Sequence, residues 1–305
     1  MKKNLKNAVV FILSAVCLCA GAPNIYFTPN RSTDQMIIDL IKKAEKSVYV
    51  ASYTMSYGMM IKTLRNRHGA IDIKVMLDAE PAEKLPEGIL KTDKKSSLFH
   101  PKFIVVDGKT VLAGSGNFTE GSMHTHHNNF LLMENSIIAG FFTRKFLSWW
   151  EDSPSEEIYA DDTFQIYFSP ENDCEDVIKR MISSARSSIR FALYHCTSED
   201  IAIALIHRKL AGVDVCGIVE RSSVEPHSVF YSLRDYGCAM KKSNSAGFLH
   251  DKFFIIDGET VITGSYNPTA AARRNTECLL VIKDREIAET FMKEWKKLWR
   301  YYSLP

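Results

Sequence analysis

The feature that most limits how this chain can fold is that it contains one pattern twice. NIYFTPN at 24–30 returns as QIYFSPE at 165–171, and KKAEKSVYVASYTMS at 42–56 as SSARSSIRFALYHCT at 183–197. IDIKVMLD at 71–78 answers VDVCGIVE at 213–220, and the aromatic tail FFTRKFLSWW at 141–150 answers ETFMKEWKKLW at 289–299. Internal repetition means two copies of one structural unit. The copies span 23–150 and 164–305, joined by the acidic, Ser/Pro-containing linker EDSPSEEIYADDT at 151–163. Each is the size of a small domain, so the simplest arrangement is a monomer whose halves pack about a pseudo-two-fold axis, as a homodimer would.

Within each copy, apolar runs of strand length alternate with segments of helical spacing. Residues 33–45 and 172–186 have helical periodicity, SVYVASY and SIRFALY read as strands, and MMIKTLRNRHG and DIAIALIHRKLAG read as helices ended by glycine. KFIVVDGKTVLAG and KFFIIDGETVITG read as hairpins turned at Asp-Gly. The expected class is α/β, with mixed sheets flanked by helices.

The first 22 residues stand apart. Lys2, Lys3 and Lys6 precede an apolar or small stretch from Ala8 to Ala22 without an acid, the composition of a secretory signal or an N-terminal membrane anchor. This predicts an exported or membrane-tethered protein. Loss of the segment would take 38 basic residues to 35 against 36 acidic, a net of −1. The general basic field of a nucleic-acid binder is then absent. Local clusters remain at Lys91/Lys94/Lys95, Lys241/Lys242 and Arg273/Arg274; the first two precede the strands discussed next, where they could draw an anion. Five cysteines follow the leader, odd in number and without a CxxC pair, so neither zinc nor a redox centre is indicated.

Each copy contains a strand that opens on polar residues. On a strand, side chains two apart share a face, so His100 projects with Lys102, and His250 with Lys252. A single His-x-Lys carries little information. The compound spacing carries much more: His, one residue, Lys, four residues, Asp, six residues, then Gly-Ser-x-Asn. It holds at His100, Lys102, Asp107, Gly114, Ser115 and Asn117, and again at His250, Lys252, Asp257, Gly264, Ser265 and Asn267.

This doubled pattern resembles the phospholipase D superfamily, in which two such motifs meet at one active site. The compact repeats look most like its bacterial endonuclease and mitochondrial phospholipase branch, which has one motif per chain and dimerises. The resemblance implies a metal-independent and cofactor-independent phosphodiesterase. A neutral imidazole attacks phosphorus to give a phosphohistidine, and a second imidazole protonates the leaving oxygen. Lys102, Lys252, Asn117 and Asn267 would steady the non-bridging oxygens, with Ser115 and Ser265 as further substrate contacts. By resemblance His100 is the nucleophile and His250 the acid. Asp107 and Asp257 complete the motif, although an aspartate before glycine in a hairpin is also a turn residue. In the family a glutamate orients a motif histidine. Glu277 is expected to hold His250, and aligning Leu131-Leu132 with Leu279-Leu280 sets Asn129 in its register. A phospholipid at a membrane is the expected substrate, nucleic acid the alternative, and a cardiolipin-synthase-like transferase or a non-catalytic phosphate-binding protein the remaining readings.

The other histidines read as bystanders. His124, His126 and His127 form a rim loop whose spacing fits no zinc site. His195 is a rim residue opposite Thr54, and His68, His207 and His227 are surface residues. Tyr53 and Tyr194 match between copies and read as structural.

Overall fold

The structure is a computed structural model that describes residues 22–81, 84–226, 228–244 and 247–302. The N-terminal segment read as a signal or membrane anchor, through residue 21, and His227 lie outside the described residues. The first copy runs β1 (Asn24–Thr28), α1 (Arg31–Lys43), β2 (Ser47–Ser52), α2 (Gly58–Arg67), β3 (Asp72–Leu77), β4 (Leu90–Thr92), β5 (Lys102–Val106), β6 (Thr110–Gly114), α3 (Glu120–His124), β7 (Asn128–Glu134) and α4 (Ser136–Trp150). The second runs β8 (Tyr159–Ala160), β9 (Phe164–Ser169), α5 (Cys174–Ser184), β10 (Ser188–Leu193), α6 (Glu199–Leu210), β11 (Asp214–Val219), α7 (Val229–Asp235), β12 (Ala239–Lys242), β13 (Lys252–Ile256), β14 (Thr260–Gly264), β15 (Glu277–Lys283) and α8 (Arg285–Tyr301).

Each copy forms one mixed sheet. The orders are β1-β7-β6-β5-β2-β3-β4 and β12-β11-β10-β13-β14-β15-β9-β8. Apart from β8, added at an edge by the segment read as a linker, they are the same order. In each, the motif strand (β5 or β13) is central and fully buried, which is why both of its faces are apolar after the opening polar pair.

Helices cover the outer face of each sheet. Ile37, Ile41, Ile61 and Leu64 of α1 and α2 form one outer core with Val48 and Val75, and Ile178, Ile182, Ile201 and Leu205 of α5 and α6 form the other with Ile189 and Val215. Between the sheets lies a shared third core. It is built by Phe142 and Phe146 of α4, Phe291 and Leu298 of α8, Phe103 of β5, Phe168 of β9 and Phe253 of β13. Rings cross from one copy to the other, Phe27 to Phe291 at 5.3 Å and Phe142 to Phe168 at 5.5 Å. The halves are thus fused through apolar burial, the largest favourable contribution to folding.

Lys91, Lys241 and Lys242 play a different part from the one expected of their clusters. Lys91 Nζ donates to the Trp149 and Trp150 carbonyls, and Lys241 Nζ to those of Trp299 and Tyr302. Both therefore close helix C-termini, where carbonyls lack partners and a cation is favoured. Lys242 donates to the Tyr231 hydroxyl, and Arg273 pairs with Glu175 and Asp200. These side chains serve the scaffold and are not free to draw substrate. The five cysteines are free thiols.

Candidate active site

The two motif strands begin at the junction of the copies, and each is tied to the other copy by main-chain bonds. The His100 N–H donates to the Thr276 carbonyl at 2.8 Å, and the His250 N–H to the His127 carbonyl at 2.9 Å. Phe99 bridges Thr276, and Leu249 bridges His127, in the parallel sense. The polar starts of β5 and β13 are thereby brought to one place about the pseudo-dyad.

The side chains cross over as well. His100 Nδ1 lies 2.8 Å from Glu277 Oε2, and His250 Nδ1 lies 2.8 Å from Asn128 Oδ1. Each ring is held by the opposite copy at its δ nitrogen, with Nε2 the nitrogen not so held on both. This corrects the expectation that Glu277 holds His250. It also shifts the register by one residue. Thr28 pairs with Asn128 as Ser169 pairs with Glu277, so Asn128, not Asn129, is the counterpart of the glutamate. Asn129 points elsewhere, donating from Nδ2 to Asp251 at 2.8 Å and accepting from Thr263 at 2.7 Å.

Ser115 and Ser265 are fully buried behind these holders. Ser265 Oγ donates to Glu277 Oε2 at 2.6 Å and accepts the Cys278 N–H at 2.9 Å. Ser115 Oγ donates to Asn128 at 3.3 Å and accepts the Asn129 N–H at 3.1 Å. The expectation of substrate contact is corrected to one of support, since both hydroxyls are committed inside the protein. The preceding glycines make this geometry attainable. A Cβ on Gly114 would come within 2.0 Å of the Asn129 carbonyl oxygen, and one on Gly264 within 2.3 Å of that of Cys278.

Asp107 and Asp257 are corrected too. They stand five residues along the strand from the lysines, roughly 17 Å away, at the far end of the hairpin. Both adopt φ +55° in the Asp-Gly turn, a left-handed conformation that Asp tolerates better than most residues. The Asp107 carboxylate accepts the N–H groups of Glu45, Lys46 and Ser47, and Asp257 those of Arg186, Ser187 and Ser188. Burial pushes these carboxyls up, but the N–H donors more than offset it and hold both below the usual range. The motif aspartate pins the loop before β2 or β10.

Lys102 and Lys252 are buried, each donating from Nζ to its own motif's histidine carbonyl at 2.6 Å. Each ammonium also faces a tyrosine ring, Tyr53 at 5.8 Å and Tyr194 at 5.0 Å, which assigns the matching tyrosines a place in the site. The Oδ1 atoms of Asn117 and Asn267 are buried with no hydrogen-bond partner among the described residues, an arrangement that normally costs free energy unless a donor completes it.

The electrostatics are those of a site suited to an anion. Burial lowers His100, opposed by Glu277, and lowers His250 well below its ordinary value, reinforced by Lys252, Lys102 and His100. Burial brings Lys102 down to about 7 and Lys252 well down, the latter also through Lys102. Four basic groups crowd around Glu277, with Asp78 acting on Lys102 and Asp251 on Lys252, and a bound phosphodiester would favour their charged forms. Among the described residues no group of three or more His, Cys, Asp or Glu is placed to hold a metal. The HTHHNN loop sends its rings to three places: His124 to Asp34 and Glu120, His126 to Phe248, and His127 to Tyr302.

A family model described as "Cardiolipin synthase, PLD-like domain" matches residues 37–150 and again 178–299. A phospholipase D of Rickettsia felis is 35% identical over 130 residues, 42% of this chain and 65% of that protein. The mitochondrial cardiolipin hydrolase of Xenopus laevis is 32% identical over 120 residues, 39% of this chain and 57% of its own length. The chain thus spans less than two thirds of the curated relatives it matches. The phosphatidylserine synthase of Haemophilus influenzae superposes over 92% of this chain and 88% of that one, with a TM-score of 0.70 at 13% identity, a likeness of fold.

Proposed function

The chain belongs to the phospholipase D superfamily of phosphodiesterases, and from that premise we propose that it cleaves the phosphodiester of a glycerophospholipid at or near a membrane. His100 Nε2 attacks phosphorus and the bond to the leaving alcohol breaks, while His250 Nε2–H donates its proton to the departing oxygen. Water then passes a proton back to His250 as its oxygen attacks phosphorus, and the P–N bond breaks. The products are a phosphate monoester and a free alcohol; an alcohol in place of water gives transfer. Acid-base help of this kind is worth roughly 10²–10⁴-fold.

The observation that carries the reading is the crossed pair of Nδ1 contacts, which fixes both rings and leaves both Nε2 atoms for phosphorus chemistry. The unlike holders support the division of roles. Positive charge grows on the imidazole that bonds to phosphorus, and the Glu277 carboxylate stabilises it, as the aspartate does in a serine-protease triad. His250, held by a neutral amide, gives up a proton more readily. Lys102, Lys252, Asn117 and Asn267 steady the non-bridging oxygens.

The lipid assignment draws on the charge balance, the basic and apolar N-terminal segment and the names of the relatives. The exposed Leu98 and Phe248, at matching positions just before the two motif strands, also support it. The compact build, two halves with little inserted between them, favours the alternative of a metal-independent endonuclease. Two assays test this. In EDTA, the protein should release the head group from phosphatidylcholine vesicles, and His100→Asn should abolish it; plasmid nicking without head-group release would overturn the lipid reading. With bis(p-nitrophenyl) phosphate, whose leaving group needs no acid, His250→Asn should accumulate phosphate on His100, and phosphate found on no histidine would overturn the mechanism.

A further inference from the structure

The pseudo-dyad provides an internal control, because each residue near one motif histidine has a counterpart near the other. Tyr53 and Tyr194 are the same residue. Three further pairs differ, and they differ in one direction. Thr54 corresponds to His195, Asn275 to His126 and Leu98 to Phe248, as the strand registers require. The second-motif side therefore carries two imidazoles that the first-motif side lacks.

Their placement joins them to the reacting centre. The His126 ring lies 6.3 Å from that of His250 and 5.0 Å from Phe248. The Tyr194 ring lies 4.7 Å from His250 and 4.1 Å from His195. Both imidazoles are half-buried, and no hydrogen bond from a described residue engages the nitrogens of either ring. On the other side, by contrast, Asn275 Oδ1 is engaged by the Leu98 N–H at 3.2 Å. Half-buried polar atoms without partners are where a ligand makes its bonds.

Charge decides what that ligand is. A cationic head group is disfavoured, because Lys252 already occupies the Tyr194 ring face; Glu220, held by Ser222, Ser243 and the Leu249 N–H, still acts on both imidazoles and favours their protonated forms. Burial, the largest effect, and Lys252 press on His126 and His195 to give up their protons, opposed by Glu220; an anion bound beside these rings would favour their protonated forms. The 6.3 Å between His126 and His250 is of the order of the separation of two phosphates joined through a short carbon bridge.

We propose that His126 and His195 form a subsite for a second phosphate, one carried by the substrate a few bonds from the phosphodiester that is cleaved. This deepens the phosphodiesterase reading and, for its lipid form, rests on it. The test measures binding first, so that it does not depend on turnover. Calorimetry with glycerol 1,3-bisphosphate and glycerol 1-phosphate should give at least tenfold tighter binding of the bisphosphate. His126→Gln and His195→Gln should each reduce that ratio several-fold while leaving the monophosphate affinity and the circular dichroism spectrum unchanged. Equal affinities in the wild type, or variants that weaken both ligands alike, would overturn the subsite. The lipid arm compares phosphatidylglycerol phosphate with phosphatidylglycerol, which differ by that one phosphate. The wild type should prefer the former and the variants should lose the preference. Turnover of a short oligonucleotide but of neither lipid would overturn the lipid reading, and the calorimetric ratio would still decide the subsite.

Discussion

Asp251 stands between His250 and Lys252 in sequence, is 1% exposed, and meets Asn129 Nδ2 at 2.8 Å. Burial raises its pKa from 3.8 to about 7, with Glu294 adding to the rise. A carboxyl whose folded value exceeds its unfolded one stabilises the protein most below the unfolded value, and that stability is lost as pH rises through the folded value. The full displacement corresponds to about 4 kcal/mol, of which about 3 kcal/mol falls between pH 5 and pH 8. Asp251→Asn keeps the volume and an oxygen for Asn129 and removes the titration. Urea unfolding of both proteins at pH 5 and pH 8 isolates the effect. The lowered groups His100, His250, Lys102 and Lys252 push the other way with pH, but they are present in both proteins and largely cancel. Lys252 senses the Asp251 charge, so the expected gain of the variant over wild type on going from pH 5 to pH 8 is about 2 kcal/mol. The same pH dependence in both proteins would refute the assignment of a buried, proton-holding Asp251.

Replacing Glu277 by Gln should lower kcat by about 10²–10⁴-fold with little change in KM, because in the proposed mechanism the carboxylate acts on the charge His100 develops rather than on bound substrate; steady-state kinetics on bis(p-nitrophenyl) phosphate reads the split. Asp107→Ala or Asp257→Ala should cost about 1–3 kcal/mol in urea unfolding, since three N–H groups lose their acceptor, with kcat retained at temperatures where the variant is folded. Binding of inorganic phosphate at pH 7.5 should take up protons, since Lys102, held at about 7, and the lowered His100, His250 and Lys252 regain charge beside an anion. Calorimetry in buffers of different ionisation enthalpy measures that uptake.

Local regularities made much of this legible. Strand alternation puts His100 with Lys102 and His250 with Lys252 on one face, and the repeated spacing to Gly-Ser-x-Asn marks both as parts of one site. The holders were not legible in the same way, because they act across the dyad: Glu277 is near His250 in sequence and beside His100 in space. A slip of one residue in aligning β7 with β15 was enough to exchange Asn128, which meets His250, for Asn129, which faces away. The two serines have the composition of ligand-binding residues, and only their burial and main-chain partners reveal a supporting part. His126 and His195 carry no motif. They stand out only once Asn275 and Thr54 are recognised as their counterparts.

Fusing two copies into one chain frees them to differ, and the buried contacts between them depend on the difference. Asn129 of the first copy bonds Asp251 and Thr263 of the second. The corresponding positions on the other side of the dyad are Cys278, Pro101 and Ala113, none of which offers a comparable group. Two copies of the second half would set Asp251 and Thr263 against Cys278, leaving a buried acid without its amide. Two copies of the first would set Asn129 against Pro101 and Ala113, leaving an amide with nothing to bond. Each buried polar group left unpaired costs about 1–3 kcal/mol, and a symmetric pairing incurs that cost twice. Only the unlike pairing satisfies the network, and it is also the pairing that gives one motif histidine a carboxylate and the other a neutral amide. Specificity of assembly and the unlike holding of the two motif histidines therefore follow from the same neighbouring residues of β7, Asn128 and Asn129.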